Sequence, residues 1–202
     1  MIIGPKYKIC KRLGASVFEK CQTQKFQLAE ARTPRQTKMK RGGSDFGVQM
    51  LEKQKVRFTY GLSEMQFSRY VREAMEDKSD SRNSLINRLE SRLDNVTFRA
   101  GFAKTRRAAR QFVSHGHIMV NGRRLTIPSH KVLVGDIISI RPESRTSPLF
   151  ANRTEAAAEA TATPSWLTVE DAGFAAKISA VPMIAETETP FNAATVIQFY
   201  SR

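Results

Sequence analysis

The sequence predicts an α+β fold in which a series of helices is followed by a small antiparallel sheet. Apolar residues recur at helical spacing from residue 44 to residue 115, whereas residues 118–140 hold short apolar runs around the turn-forming pair Asn121-Gly122. Charge is unevenly distributed: residues 1–150 contain 30 basic and 13 acidic residues, and residues 151–202 contain three and six. We therefore expect a strongly basic body that meets a polyanion and a C-terminal segment that does not.

Residues 105–115 are predicted to form a three-turn helix. Thr105 is a suitable N-cap and Gly116 a C-terminal stop. The apolar side of this helix consists of Ala108, Ala109, Phe112 and Val113.

Three arginines, Arg106, Arg107 and Arg110, lie near the N-terminus of that helix. The helix dipole disfavours cations at this end but attracts an anion such as phosphate. We interpret the arginines as directed at phosphates, and an ordinary solvated basic face is the simpler alternative.

A β-hairpin is predicted directly after the helix. Asn121-Gly122 readily adopts the positive φ angles of a two-residue turn, and Arg123 and Arg124 follow the turn. Residues 131–134 and 137–140, separated by a turn at Gly135-Asp136, are expected to add further strands.

Three helices are predicted between residues 44 and 100. Ser44 is expected to cap the first, Ser63 and Gln66 resemble a capping box for the second, and the third begins near Asn83. The residues expected to face inward are Val48, Leu51, Phe58, Phe67, Tyr70, Val71 and Ala74, whereas Lys53, Arg57 and Tyr60 are expected along another side.

The third of these helices is expected to carry a narrow basic stripe. Arg88, Arg92 and Arg99 are spaced by four and seven residues. This stripe runs beside an apolar row made of Leu85, Leu89, Leu93 and Val96.

Residues 1–43 contain few apolar groups, so we expect an irregular basic arm. Its cations, among them Arg32 and Arg35, repel one another in water and become favourable along phosphates. Cys10 and Cys21 are expected to be free thiols in a reducing compartment. Two thiols without a nearby histidine cannot supply four zinc ligands, so no metal is expected, and His115 and His117 are interpreted as loop or polyanion-facing residues.

Several segments carry recognisable motifs: SDFGVQ at residues 44–49, LESRLDNV at 89–96, RAGF at 99–102, IMVNGR at 118–123 and YSR at 200–202. The three motifs between residues 89 and 123 resemble the alpha-L RNA-binding motif. Together, the motifs resemble small-subunit ribosomal protein four of bacteria and organelles.

The resemblance implies a division of the chain. It implies a basic N-terminal extension at residues 1–43, a helical domain at 44–91 to which residues 164–202 return, an alpha-L RNA-binding domain at 92–145 and a linker at 146–163. The late apolar runs at residues 166–169 and 196–200 are expected to pack on a folded part, because exposed they would favour aggregation.

The resemblance also implies a function. We expect a structural constituent of the small ribosomal subunit that binds small-subunit ribosomal RNA (rRNA) early, nucleates assembly, and contributes to translational accuracy where messenger RNA (mRNA) enters. Its expected partners are small-subunit rRNA, ribosomal protein five of the small subunit and mRNA, with no DNA, membrane or cofactor. The expected location is the bacterial cytoplasm, with a plastid ribosome as the alternative. The candidate RNA-contacting residues are Lys38, Lys40, Arg41, Lys53, Lys55, Arg57, Arg88, Arg92, Arg99, Lys104, Arg106, Arg107, Arg110, Gln111, His115, Asn121, Arg123 and Arg124.

An RNA-modifying enzyme of the pseudouridine-synthase type is the competing hypothesis, because such enzymes also carry alpha-L modules. It requires a further domain with a catalytic aspartate on a strand, and residues 141–202 are too few and match too poorly. Asp94, the acidic residue of the most motif-like stretch, is interpreted as orienting Arg92 or a backbone group rather than as a catalyst.

Overall fold

The structure, a computed structural model, describes residues 3–32, 44–77, 80–150, 163–183 and 189–201. The chain divides into two compact units, unit 1 with residues 1–85 and 184–202 and unit 2 with residues 86–183. Helices and one antiparallel sheet make up the described residues, which confirms the predicted α+β class.

The helices in the described part of unit 1 are α1 (Lys6–Leu13), α2 (Gln24–Arg32), α3 (Asp45–Tyr60), α4 (Glu64–Glu76) and, near the C-terminus, α9 (Ala193–Tyr200). Of these, α3 and α4 begin at the caps that the sequence predicted. The hydroxyl of Ser44 accepts a hydrogen bond from the amide of Gly47, and that of Ser63 accepts one from the amide of Gln66, each at 3.3 Å. Both caps satisfy amides that have no partner within their helix, and both were predicted.

The buried face of α3 differs from the predicted one. Gln49, Lys53, Val56 and Tyr60 are buried, whereas Val48 is 50% exposed. The reason is α9, which packs against α3 and α4 and places Phe199 4.4 Å from the Nζ of Lys53. A contact across so long a stretch of sequence is invisible to the local pattern of α3.

The expectation of an irregular arm is wrong for residues 6–32. Besides α1 and α2, this segment contains a short 3-10 helix, Glu19–Cys21. Cys10, Phe18, Cys21 and Phe26 form a small buried cluster, and the two cysteines are joined in a disulfide rather than free as predicted. The cluster supplies the apolar burial that composition alone did not indicate.

The predicted third helix is two helices, α5 (Ser81–Glu90) and α6 (Leu93–Arg99). Between them the backbone is extended at Arg92, which bridges to Lys131. The carbonyl of Ser91 accepts a hydrogen bond from the amide of Val132 at 2.8 Å. Arg88, Arg92 and Arg99 therefore do not form a stripe on one helix, because backbone pairing with residues 131 and 132 interrupts that helix.

Unit 2 continues with α7 (Arg106–His115) and a five-stranded antiparallel sheet. The short helix α8 (Pro142–Arg145) lies, in sequence, between two strands of this sheet. The strands β1 (Ile118–Val120), β2 (Arg123–Arg124), β3 (Ile137–Ile140), β4 (Leu167–Glu170) and β5 (Ala175–Ile178) lie in the order β2-β1-β3-β5-β4. Val120 pairs with Arg123 across the two-residue turn, in which Asn121 and Gly122 have φ angles of 49° and 76°, as the hairpin prediction requires. The predicted strand at residues 131–134 is not formed beyond the single bridge at Lys131.

The segment that contains β4 and β5 belongs to the same sheet as the hairpin. β4 pairs with β5 and β5 pairs with β3, so Leu167 and Ile178 lie in the same buried core as Val113, Ile118 and Ile140. Of the segment 164–202 that was expected to return to the helical domain, residues 164–183 belong to unit 2 and residues 189–201 to unit 1. Most of the predicted linker, residues 151–162, lies outside the described residues, and Phe150 just before it is buried in the core of unit 2.

In the described ranges, no helix is long and apolar enough to cross a membrane.

Candidate nucleic-acid interface

Local sequence signals determine the helix α7. The Thr105 hydroxyl accepts a hydrogen bond from the Ala108 amide at 3.0 Å, and Gly116 ends the helix with a φ of 76°. Ala109 and Val113 are buried against the core. The predicted helix is confirmed, together with its caps and its inward side.

The opposite side of α7 is polar and exposed. Lys104, Arg107, Gln111 and His115 follow one another at intervals of three or four residues and all are exposed, as is Arg123 on β2. Arg107, Gln111 and His115 therefore share one side of α7, and Lys104 lies two residues before the helix begins. We name Lys104, Arg107, Gln111, His115 and Arg123 the α7–hairpin surface.

Two further arginines, Arg92 and Arg110, are held by one buried carboxylate. Asp94 Oδ1 and Oδ2 accept hydrogen bonds from Nε and Nη2 of Arg92 at 3.0 and 2.7 Å. Asp94 Oδ2 also accepts from Nε and Nη2 of Arg110 at 2.9 and 2.7 Å. The Arg92 side chain is only 3% exposed, but that of Arg110 is 31% exposed. The contact predicted between Asp94 and Arg92 is therefore present, and Asp94 binds Arg110 as well.

A second buried carboxylate, Glu90, organises the neighbouring arginine, Arg99. Glu90 Oε2 accepts hydrogen bonds from Nε of Arg99 at 3.0 Å and from Nδ2 of Asn95 at 2.7 Å. Asn95 Oδ1 in turn accepts from Nε of Arg106 at 2.8 Å, and the Arg106 guanidinium lies 4.5 Å from the ring centroid of Phe98. Sequence reasoning missed Glu90 and Asn95, although each lies in the LESRLDNV motif directly beside an apolar residue, Leu89 or Val96, which could have indicated burial.

Asn121 and Arg124, both candidates for RNA contact, make contacts within the protein. Asn121 Nδ2 donates to Asp136 Oδ1 at 2.8 Å, and Asn121 Oδ1 accepts from the amide of Ile137 at 2.9 Å. Arg124 Nη2 donates to the carbonyl of His115 at 3.2 Å, at the C-terminal end of α7, where a cation is favourable. Both side chains connect the hairpin to its surroundings, and both remain exposed.

The two histidines at the end of α7 have different environments. His117 packs beside Phe112 and Phe150, and its Nδ1 lies 2.9 Å from the hydroxyl of Ser144. Burial lowers the pKa of His117, and the positive charges of His115, Arg124 and Arg141 lower it further. His117 is therefore neutral near pH 7, and His115 is the exposed member of the pair.

The candidate cations of α3 serve the packing of unit 1. Glu64 accepts from Lys53 Nζ at 2.9 Å and from the Tyr200 hydroxyl at 2.7 Å, and it pairs with Arg57 at 2.8 Å. Burial raises the pKa of Glu64, but hydrogen bonds from Tyr200 and Lys53, together with the positive charges of Lys53 and Arg57, lower the pKa below its ordinary value. Lys55 pairs with Glu52, whose other oxygen accepts from the amide of Asn192 just before α9.

Of the other candidates, Arg88 is partly buried in unit 2. Lys38, Lys40 and Arg41 lie outside the described residues, as does Arg35. The described ranges contain no group of three or more His, Cys, Asp or Glu side chains that could hold a metal ion.

The α+β scaffold carries exposed basic residues just before α7, on α7 and on the hairpin, which is typical of a nucleic-acid-binding protein. Residues 91–138 match the S4 domain, and residues 1–90 match the ribosomal protein S4/S9 N-terminal domain. The small ribosomal subunit protein uS4 of Persephonella marina is 41% identical over 98% of both chains, and that of Roseiflexus castenholzii is 42% identical over 99% of this chain and 98% of its own. The uS4 protein of Thermotoga maritima is 39% identical over 98% of both chains. The chain belongs to the uS4 family of small-subunit ribosomal proteins.

The contact between Arg124 and the end of α7 predicts the outcome of a glycine substitution. A Cβ at residue 116 would lie 2.0 Å from Arg124 Nε, whereas a Cβ at residue 122, which has the same φ of 76°, meets nothing within 4 Å. We expect Gly116→Ala and Gly122→Ala each to lower the free energy of unfolding by about 1–2 kcal/mol through the left-handed backbone. Gly116→Ala should cost roughly 1 kcal/mol more, because Arg124 must leave the His115 carbonyl.

Urea unfolding followed by the fluorescence of Trp166, the single tryptophan, which is buried in unit 2, measures this difference. In an Arg124→Ala background the extra cost of Gly116→Ala should disappear. If Gly116→Ala costs the same additional free energy of unfolding in both backgrounds, Arg124 is not the cause of that cost.

Proposed function

We propose that this protein binds small-subunit rRNA through the α7–hairpin surface as a structural constituent of the small ribosomal subunit. The observation that carries the proposal is a set of exposed groups: Lys104 just before α7, Arg107 and Gln111 on α7, and Arg123 on the hairpin that follows. Cations fixed on rigid elements neutralise phosphates at low conformational cost. The curated relatives are named as small-subunit proteins, and this supports rRNA as the polyanion.

The N-terminal end of α7 is suited to binding a phosphate. Its first turn contains Arg106 and Arg107 and no acidic residue, so the helix dipole and the side chains carry the same sign of charge. A phosphate at this end removes the repulsion, because backbone amides, the dipole and the guanidinium groups all attract it. Folded RNA is read largely through phosphates, 2′-hydroxyls and shape, and this surface suits that mode of recognition.

The proposal extends to early binding that nucleates subunit assembly and to a contribution where mRNA enters the subunit. The second role depends on Lys38, Lys40 and Arg41, which only the sequence supports. A bacterial ribosome in the cytoplasm is the proposed setting, since the relatives named above are bacterial, and a plastid ribosome is the alternative. The family also favours a structural protein over an RNA-modifying enzyme.

Sedimentation on sucrose gradients tests the main proposal. A tagged copy of the chain, expressed in a bacterium, should move with small-subunit particles at moderate salt and stay with them at high salt. Recovery only at the top of the gradient would contradict a role as a subunit constituent. An enzyme that acts on RNA transiently would dissociate as salt rises.

Salt titrations test the individual phosphate contacts. Arg107→Ala and Arg123→Ala should each weaken binding to deproteinised small-subunit rRNA and flatten the plot of log affinity against log salt by roughly 0.7–0.9 per lost contact. Lys177→Ala is the matched control, because Lys177 is exposed on β5, which β1 and β3 separate from β2. Slopes that are unchanged in the two arginine variants would exclude these residues as phosphate ligands.

We also propose that unit 1 contacts a protein, ribosomal protein five of the small subunit. Asp45, Gln49, Thr195, Gln198 and Ser201 line a cleft between α3 and α9, together with Val48. Gln49 Oε1 is buried without a hydrogen-bond partner among the described residues, and its residue lines this cleft. Buried polar atoms are rarely left unsatisfied, so a partner that supplies a donor fits the cleft.

Binding of purified ribosomal protein five measures this contact. Val48→Asp places a charge on the exposed apolar rim of the cleft and should weaken association at least tenfold, about 1.4 kcal/mol. Met65→Asp is the control, because Met65 is 85% exposed on α4 and does not line the cleft. Equal affinities of the two variants would place the partner elsewhere.

A further inference from the structure

The most unusual feature of unit 2 is a network in which two buried carboxylates serve four arginines. Asp94 binds Arg92 and Arg110, whereas Glu90 binds Arg99 directly and reaches Arg106 through Asn95. Glu90 is fully buried and Asp94 is 5% exposed, but Arg99 and Arg110 remain 23% and 31% exposed. One end of the network is thus inside the protein, and the other reaches the surface beside Arg107.

Stability alone is a poor reason for such a network. Removing charges from water costs several kcal/mol per ion, and apolar replacements of buried ion pairs are often neutral or stabilising. For binding a polyanion, net charge alone would favour the loss of both carboxylates, because each cancels one arginine. Because the carboxylates favour neither stability nor the electrostatics of polyanion binding, the network points to a role in positioning the arginine side chains.

We propose that Asp94 and Glu90 are positioning residues of the RNA-binding surface, an inference that rests on the proposed binding of rRNA by α7. A guanidinium has five N–H donors in a rigid fork. Asp94 engages those on Nε and Nη2 of Arg110, so it fixes the plane of the group while part of the side chain faces solvent. Asn95, itself held by Glu90, accepts a hydrogen bond from Nε of Arg106, whose guanidinium also lies over the Phe98 ring.

The gain comes from ordering the arginines before RNA arrives. Immobilising a long side chain on binding costs about 0.5–1.5 kcal/mol, and a side chain already held avoids this cost. The carboxylates therefore increase affinity for phosphates although they are negative. The expected effect of the carboxylates on affinity is opposite to the effect that net charge alone predicts, so the two explanations can be distinguished by experiment.

The test compares Asp94→Asn with Glu170→Gln in the full-length protein. Both variants lose one negative charge, but Glu170 is exposed on β4 and is not part of the network. Asp94→Asn should bind deproteinised small-subunit rRNA about threefold to tenfold more weakly than the wild type, with a salt slope lower by roughly 0.7–0.9. Glu170→Gln should bind as tightly as the wild type or slightly more tightly. Tighter binding by Asp94→Asn would overturn the proposal.

A double-mutant cycle separates positioning from a general effect on folding. If Asp94 acts through Arg110, Asp94→Asn should have little effect on affinity in an Arg110→Ala background. An equal loss of affinity in both backgrounds would overturn the proposal. If Asp94→Asn does not fold, as judged by Trp166 fluorescence, the cycle is run with Asn95→Ala and Arg106→Ala, and coupling below twofold overturns it.

The Arg107→Ala titration on the same rRNA distinguishes this inference from the proposed function. If Arg107→Ala lowers the salt slope but the cycle shows no coupling, only the positioning role fails. If Arg107→Ala and Arg123→Ala both leave the slope unchanged, RNA binding by this surface fails, and the positioning role fails with it.

Discussion

The constraint that organises the RNA-binding unit is the need to pair two buried carboxylates. A buried charge without partners is strongly unfavourable, so Glu90 and Asp94 require donors within hydrogen-bond distance. Their donors come from the α5–α6 connection, from α6 and from α7. Satisfying the two acids therefore fixes how α6 and α7 pack, and it fixes in the same step which parts of the arginines remain exposed. The architecture of the unit and the geometry of its surface have one physical cause.

Features governed by neighbouring residues could be predicted from the sequence, and features governed by distant residues could not. Thr105, Gly116 and Asn121-Gly122 determine α7 and the hairpin through caps and positive φ angles, and both were predicted with their boundaries. The break between α5 and α6 depends instead on residues 128–132, whose backbone pairs with the connection. Helical periodicity runs smoothly through that connection, so it predicted one helix and a false arginine stripe.

The same distinction explains the candidate cations of α3 and the N-terminal segment. The fate of Lys53 and Arg57 depends on Glu64 and on Tyr200, which lies 136 residues after Glu64. No local pattern reveals such a partner, so the sequence predicted RNA contact at both residues without predicting these ion pairs. In the N-terminal segment, composition suggested irregular chain because it averages over residues, whereas a small cluster around Cys10 and Cys21 is enough to order short helices. In both cases a few tertiary contacts determine the structure, and the local sequence pattern or composition of the segment does not.

Net charge is consequently a poor measure of the surface available to RNA. The chain carries a formal charge of +14, but many of its arginines and lysines already bind carboxylates or carbonyls. The cations that unit 2 leaves exposed include Lys104, Arg107 and Arg123, and Arg99 and Arg110 are partly exposed. Within this set, hydrogen bonds hold the guanidinium groups of Arg99 and Arg110 in place, so a polyanion would meet some cations whose positions are fixed. For RNA, whose phosphates are spaced by its own fold, a fixed set gives selectivity for shape that a diffuse positive charge cannot provide.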